Sequence, residues 1–95
     1  MSEDLSLYIV CYDISSDSTR TALANDLLDF GAREQNSVFE VTVTRDRYET
    51  LLQILKSVEL GKDDSIAVYP VYKDAVAGIV RFGKQPPPAQ DVLVF

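Results

Sequence analysis

Leu5-Ser6-Leu7-Tyr8-Ile9-Val10-Cys11-Tyr12-Asp13-Ile14 decides how the rest of the chain is read. Its dense apolar run, rich in β-branched and aromatic residues, predicts a central strand. Such a strand is buried on both faces, or packs one face on helices and the other on a partner. The strand ends at Asp13. Ser15-Ser16-Asp17-Ser18 then supplies a turn and a helix N-cap, and Leu23, Leu27 and Phe30, with Ala24 and Leu28 beside them, form the stripe of an amphipathic helix. Gly31 is placed to terminate that helix.

Working outward, Ala32 to Gln35 and Val38 to Thr44 read as the strands of a hairpin turned at Asn36-Ser37. Thr44 caps a second helix, with Asp46 in its first turn and Tyr48, Leu51, Leu52, Leu55 and Val58 at helical spacing. Gly61 to Asp64 is its exit loop. Ser65 to Tyr69 reads as a strand halted by Pro70, and Val76 to Phe82 as a short element compatible with another strand. Residues 83–91, with three consecutive prolines, form a stiff extended connector, and Val92-Leu93-Val94-Phe95 is an apolar tail expected to pair with a sheet edge. The order strand, helix, strand, strand, helix, strand is the α+β, ferredoxin-like βαββαβ sandwich. Residues 1–82 are read as that domain, and residues 83–95 as connector and additional C-terminal strand. Two helices cover one face of such a sheet, and the apolar content of the strands points to a second copy of the chain, a homodimer, over part of the other.

Ninety-five residues suffice for one core. The single cysteine, Cys11, excludes an intramolecular disulfide framework. No apolar stretch is long enough to span a bilayer and the N-terminus lacks a basic signal-peptide start, so the chain reads as cytoplasmic, with no membrane partner. Nine basic residues against fifteen acidic, a net charge of −6, argue against coating nucleic acid by bulk charge, though a small basic patch stays open. With no histidine and one cysteine, imidazole acid/base chemistry and His- or Cys-rich zinc sites are excluded.

Asp13 is the sharpest chemical feature: a carboxylate at the end of an apolar strand sits on a rigid support at the domain rim. A hard divalent ion suits it, because Mg2+ keeps several waters and takes one or two protein carboxylates, the second of which a two-fold axis supplies. The plainer alternative is that Asp13 accepts backbone hydrogen bonds in the Ser15-Ser16-Asp17 turn. Asp17 reads as a turn or cap residue. Arg20, a cation in the first turn of a helix, needs a nearby carboxylate or an anionic ligand. Arg33 and Gln35, at alternating spacing, point to phosphate oxygens or base edges, or to a solvated strand edge. Phe39 reads as core before it reads as a stacking platform. Arg45 and Arg47 read as a solvated helix start. No phosphate-binding Gly-rich loop and no Ser-His-Asp set is present.

Tyr8-Ile-Val-Cys-Tyr-Asp-Ile-Ser15, Asp17, Arg20, Gly31-Ala-Arg-Glu-Gln-Asn-Ser-Val-Phe-Glu40, Ile66-Ala-Val-Tyr-Pro70 and the terminal strand together resemble the small CRISPR-associated endoribonuclease-type family that partners the integrase in spacer acquisition. The resemblance implies a ferredoxin-like homodimer with facing sheets and with Val92 to Phe95 extending onto the partner's sheet. It implies that Asp13 is the metal-bearing, catalytic carboxylate, with one Mg2+ or Mn2+ shared between the two Asp13 of the dimer. It places Arg20, Arg33 and Phe39 at the family's basic and aromatic nucleic-acid positions. Ala22 stands where the family often has a second arginine. Two activities are implied: a scaffold that holds duplex prespacer DNA and bridges integrase dimers, and a metal-dependent endonuclease acting on RNA or double-stranded DNA. The weak basic surface favours the scaffold. A regulatory ferredoxin-like binding domain is the third class.

Overall fold

The computed structural model describes residues 4–35 and 37–83. The elements run β1 (Ser6–Asp13), α1 (Asp17–Leu27), β2 (Gly31–Gln35), β3 (Val38–Val43), α2 (Arg45–Lys56), β4 (Ser65–Val71) and α3 (Lys73–Ala77). The strands form one antiparallel sheet in the order β2-β3-β1-β4, with β1 central as its apolar sequence requires. This is the ferredoxin-like sandwich.

Period-two alternation divides the sheet into two faces. Val10 and Tyr12 of β1 and Phe39, Val41 and Val43 of β3 form the core with Leu23, Ala24 and Leu27 of α1 and Leu51 and Leu55 of α2. Tyr8 joins it by stacking on Tyr48 of α2, ring centroids 3.9 Å apart. Leu7, Ile9, Cys11 and Asp13 fall on the opposite face of β1, which neither α1 nor α2 covers. Arg81, beyond α3, returns over that face and donates to both carboxylate oxygens of Glu40 on β3, at 2.8 and 2.7 Å.

Three sequence expectations are corrected. Gly31 does not terminate α1: the helix ends at Leu27 with Leu28 as its C-cap, and Gly31 is the first residue of β2. Its requirement is steric, since a Cβ there would lie 1.9 Å from the Glu40 carbonyl oxygen. Pro70 does not halt β4, which continues to Val71; on an edge strand a missing donor on the outer side breaks no ladder bond. Residues 76–82 hold no strand: the element here is the five-residue helix α3, entered from Tyr72 and closed at Gly78. The connector from residue 84 onward and the tail Val92 to Phe95 lie outside the described residues. No helix among the described residues is long and apolar enough to cross a membrane.

Candidate nucleic-acid and metal-binding cleft

At the carboxyl end of β1 the sheet, the start of α1 and the β2–β3 hairpin enclose an open cleft of about 520 Å3. Asp13, Arg20 and Arg33 all line it, together with Thr21, Asn25 and Ser37. Three residues far apart in sequence therefore reach one surface. Asp13 arrives as the exposed last residue of β1, held by its antiparallel pairing with Ser65 of β4. Among the described residues no hydrogen bond or ion pair engages its carboxylate.

The turn that follows is fastened by a different acid. Asp64, just before β4, accepts from the Ser15 backbone N–H at 3.0 Å and the Ser15 hydroxyl at 2.7 Å through Oδ1, and from the Gly61 N–H at 2.7 Å through Oδ2. The Ser15 hydroxyl, then the Gly61 and Ser15 N–H groups, hold the Asp64 carboxyl below its ordinary range, so it is an ionised acceptor at neutral pH. The role considered for Asp13 in this turn belongs to Asp64. Sequence reading passed over Asp64 as part of an exit loop; an acid directly before a strand antiparallel to β1 was the available signal.

Ser16 is the N-cap of α1, its hydroxyl accepting from the Thr19 N–H at 3.3 Å. Asp17 is the first helical residue, and it pairs with Arg20. Arg20 also donates through Nη1 to the Ile14 carbonyl at 2.7 Å, so a cation near a helix N-terminus is compensated locally. Its side chain remains 41% exposed and faces the cleft. Arg33 is exposed on the edge strand β2, its Cζ 5.4 Å from the centroid of the Phe39 ring. Phe39 itself is 0% exposed, so the ring presents no face to a base and instead supports Arg33 from below. The backbone of Gln35 closes β2 opposite Val38; its side chain lies outside the described residues.

Arg47, read as solvated helix start, is engaged elsewhere. It donates to the Asp29 carbonyl at 3.2 Å and lies over the Phe30 ring with Cζ 4.1 Å from the centroid. That fastens the start of α2 to the turn before β2.

Among the described residues no group of three or more His, Cys, Asp or Glu side chains is placed to hold a metal ion. One chain contributes Asp13 alone. As an exposed, unengaged oxygen donor on a rigid strand end, Asp13 fits the chemistry of a hard divalent ion that takes few protein carboxylates and keeps several waters.

The fold has counterparts among solved structures. A hypothetical protein from Thermus thermophilus superposes with a TM-score of 0.71 at 33% identity, over 92% of this chain and 100% of that one. The Streptococcus pyogenes Cas2 crystal structure follows at 0.69 and 28% identity, covering 81% and 99% of the two chains. A chain of a partial Cas6-RT-Cas1–Cas2 complex matches at 0.64 and 33% identity, covering 80% and 89%. In sequence, the CRISPR-associated endoribonuclease Cas2 3 of Synechocystis is 31% identical over 80 residues, 84% of this chain and 87% of the relative. The Cas2 endoribonuclease of Thermus thermophilus is 35% identical over 77 residues, 81% and 82% of the two chains. The match to the CRISPR associated protein Cas2 family spans residues 6–77. Those bounds run from the first residue of β1 to the last of α3 and take in Asp13, Arg20 and Arg33, and so the chain belongs to the Cas2 family of CRISPR-associated proteins.

Proposed function

We propose that this chain serves CRISPR spacer acquisition as a homodimeric scaffold that holds duplex prespacer DNA and bridges integrase dimers. The observation that carries the reading is the cleft, where two guanidinium groups and the hydroxyls and amide of Thr21, Ser37 and Asn25 share one polar surface. A net charge of −6, with Arg20 partly compensated by Asp17, suits a protein that positions DNA jointly with a partner better than one that grips it alone. Similarity to a chain in a complex that also contains Cas1 supports the same direction. The sheet face that α1 and α2 leave uncovered is where a second copy docks. The tail Val92 to Phe95 extends the contact.

A second reading, metal-dependent cleavage of RNA or double-stranded DNA, rests on the unengaged Asp13 carboxylate. Paired across the dimer, the two Asp13 side chains would hold Mg2+ or Mn2+, which when bound supplies Lewis-acid polarisation of a phosphate and a water of lowered pKa. Arg20 and Arg33 hold and neutralise the phosphodiester beside it.

One titration separates the readings. Full-length protein, its integrase partner and duplex DNA are mixed in magnesium, with complex mass followed by light scattering and cleavage by gel, for wild type and Asp13→Ala. The scaffold predicts a stable ternary complex with intact DNA for both proteins. Magnesium-dependent cleavage by the wild type alone assigns the chemistry to Asp13 and overturns the scaffold as the sole activity.

A further inference from the structure

The hydrogen bonds that Asp64 accepts and that Arg20 donates meet on a single peptide group. The Ser15 N–H and the Ile14 C=O belong to the same planar unit. Asp64 Oδ1 accepts from its N–H side at 3.0 Å, and Arg20 Nη1 donates to its C=O side at 2.7 Å. Rotation of that plane breaks both bonds at once. A carboxylate on the N–H also strengthens the carbonyl as an acceptor, because hydrogen bonds in series polarise one another. Asp64 further holds the Ser15 hydroxyl, and the Gly61 N–H fixes the carboxylate from behind. Asp64 does not itself line the cleft.

We propose that Asp64 is a positioning residue for the cleft: through the Ile14–Ser15 peptide it sets the orientation of Arg20 beside Asp13. The inference rests on the reading of the cleft as a phosphate-contacting surface, and it makes a prediction opposite to that of bulk charge. Removing Asp64 removes a negative charge from an acidic protein, which by electrostatics alone tightens binding to DNA. Loss of positioning weakens it.

The test uses full-length protein and a fluorescein-labelled DNA duplex, with anisotropy titrations over a salt series for wild type, Asp64→Ala, Asp64→Asn, Arg20→Ala and the Asp64→Ala/Arg20→Ala double variant. Asparagine keeps an oxygen for the Ser15 N–H and hydroxyl while shedding the charge and turning its amide NH2 toward the Gly61 N–H, so it retains the Ser15 contacts alone and is an intermediate variant. The expected result is that Asp64→Ala weakens binding by about two- to fivefold, the size of one exposed charge contact. The double variant is then no weaker than Arg20→Ala, and Asp64→Asn, which keeps the Ser15 contacts, weakens binding less than Asp64→Ala. Binding by Asp64→Ala that equals or exceeds wild type, or additive losses in the double variant, overturns the proposal.

A second readout is independent of DNA. In 15N-labelled protein the Arg20 guanidinium resonances report hindered rotation where Nη1 is held by the Ile14 carbonyl. The Nη1 resonances lose their hindrance in Asp64→Ala, while those of Nη2 stay held by Asp17, and both stay resolved in Asp64→Asn. Unchanged Arg20 resonances in Asp64→Ala overturn the positioning role. If wild type and Arg20→Ala bind DNA equally while the Nη1 resonances lose their hindrance as expected, the reading of the cleft fails and the positioning stands. Thermal melts of each variant confirm that the fold is retained.

Discussion

Arg20 and Arg47 pose the same local problem and meet different fates. Each lies in the first turn of a helix, where the exposed N–H groups disfavour a cation, and each relieves this by donating to a backbone carbonyl, Ile14 for one and Asp29 for the other. Arg47 then turns onto the Phe30 ring and fastens α2 to the turn before β2. Arg20 turns toward an open cleft shared with Asp13 and Arg33. An arginine's sequence neighbours therefore do not tell a structural cation from a ligand-facing one. What lies beyond its first hydrogen bond does: an aromatic face in one case, an exposed carboxylate and a second guanidinium in the other.

The hardest way to break this contrast is at Gly31, because β2 carries Phe30 at its entry and Arg33 in its middle. Gly31→Ala drives a Cβ into the Glu40 carbonyl and pushes β2 off β3, disturbing both arginines together. The expected loss is about 3 kcal/mol, at the upper end for overpacking because the obstacle is backbone, read as a lower urea midpoint. Substituting the arginines sharpens the contrast. Arg47→Ala costs about 1 kcal/mol of stability, from an exposed cation–aromatic contact, and leaves the salt dependence of duplex binding unchanged. Arg20→Ala lowers the magnitude of the logarithmic salt slope by about 1, the signature of one lost phosphate contact. A smaller effect still separates the two regions by pH. Asp64, its carboxyl lowered, contributes stability that is present above the ordinary carboxylate range and lost as pH falls through its folded value; Asp64→Ala removes that part of the acid limb. Tyr48 of α2 is raised, chiefly by burial and then by Tyr8, so its contribution is complete below the ordinary tyrosine range and is lost as pH climbs through the folded value. Tyr48→Phe flattens the alkaline limb alone. Urea midpoints across pH check both.

Element order as far as β4, the central place of β1, a cap within Ser15–Ser18 and the cap at Thr44 were legible in sequence, because each rests on local chemistry or on period-two and helical spacing. Asp13, Arg20 and Arg33 were grouped only by the family resemblance, and nothing in their spacing places them in one cleft. Gly31 misled because glycine after a helix has two uses, a left-handed cap and a place for close backbone approach, and only the partner strand tells them apart. Pro70 misled because its cost depends on whether a strand is central or at an edge, a property of sheet order. Asp64 was passed over for a related reason: its partner is forty-nine residues away, and only the β1–β4 pairing that the fold implies brings an acid before β4 to the end of β1.

The interruptions in β2 and β4 have a further consequence. Both outer strands of the sheet are irregular, β2 by a register shift between Arg33 and Gln35, β4 by Pro70. A flat, continuous border of free donors and acceptors is a template for runaway association in a crowded cell. Here a stray extended peptide finds a full ladder along neither border. Each rim thus admits only a short, matched strand, a filter against clumping that is written into the backbone.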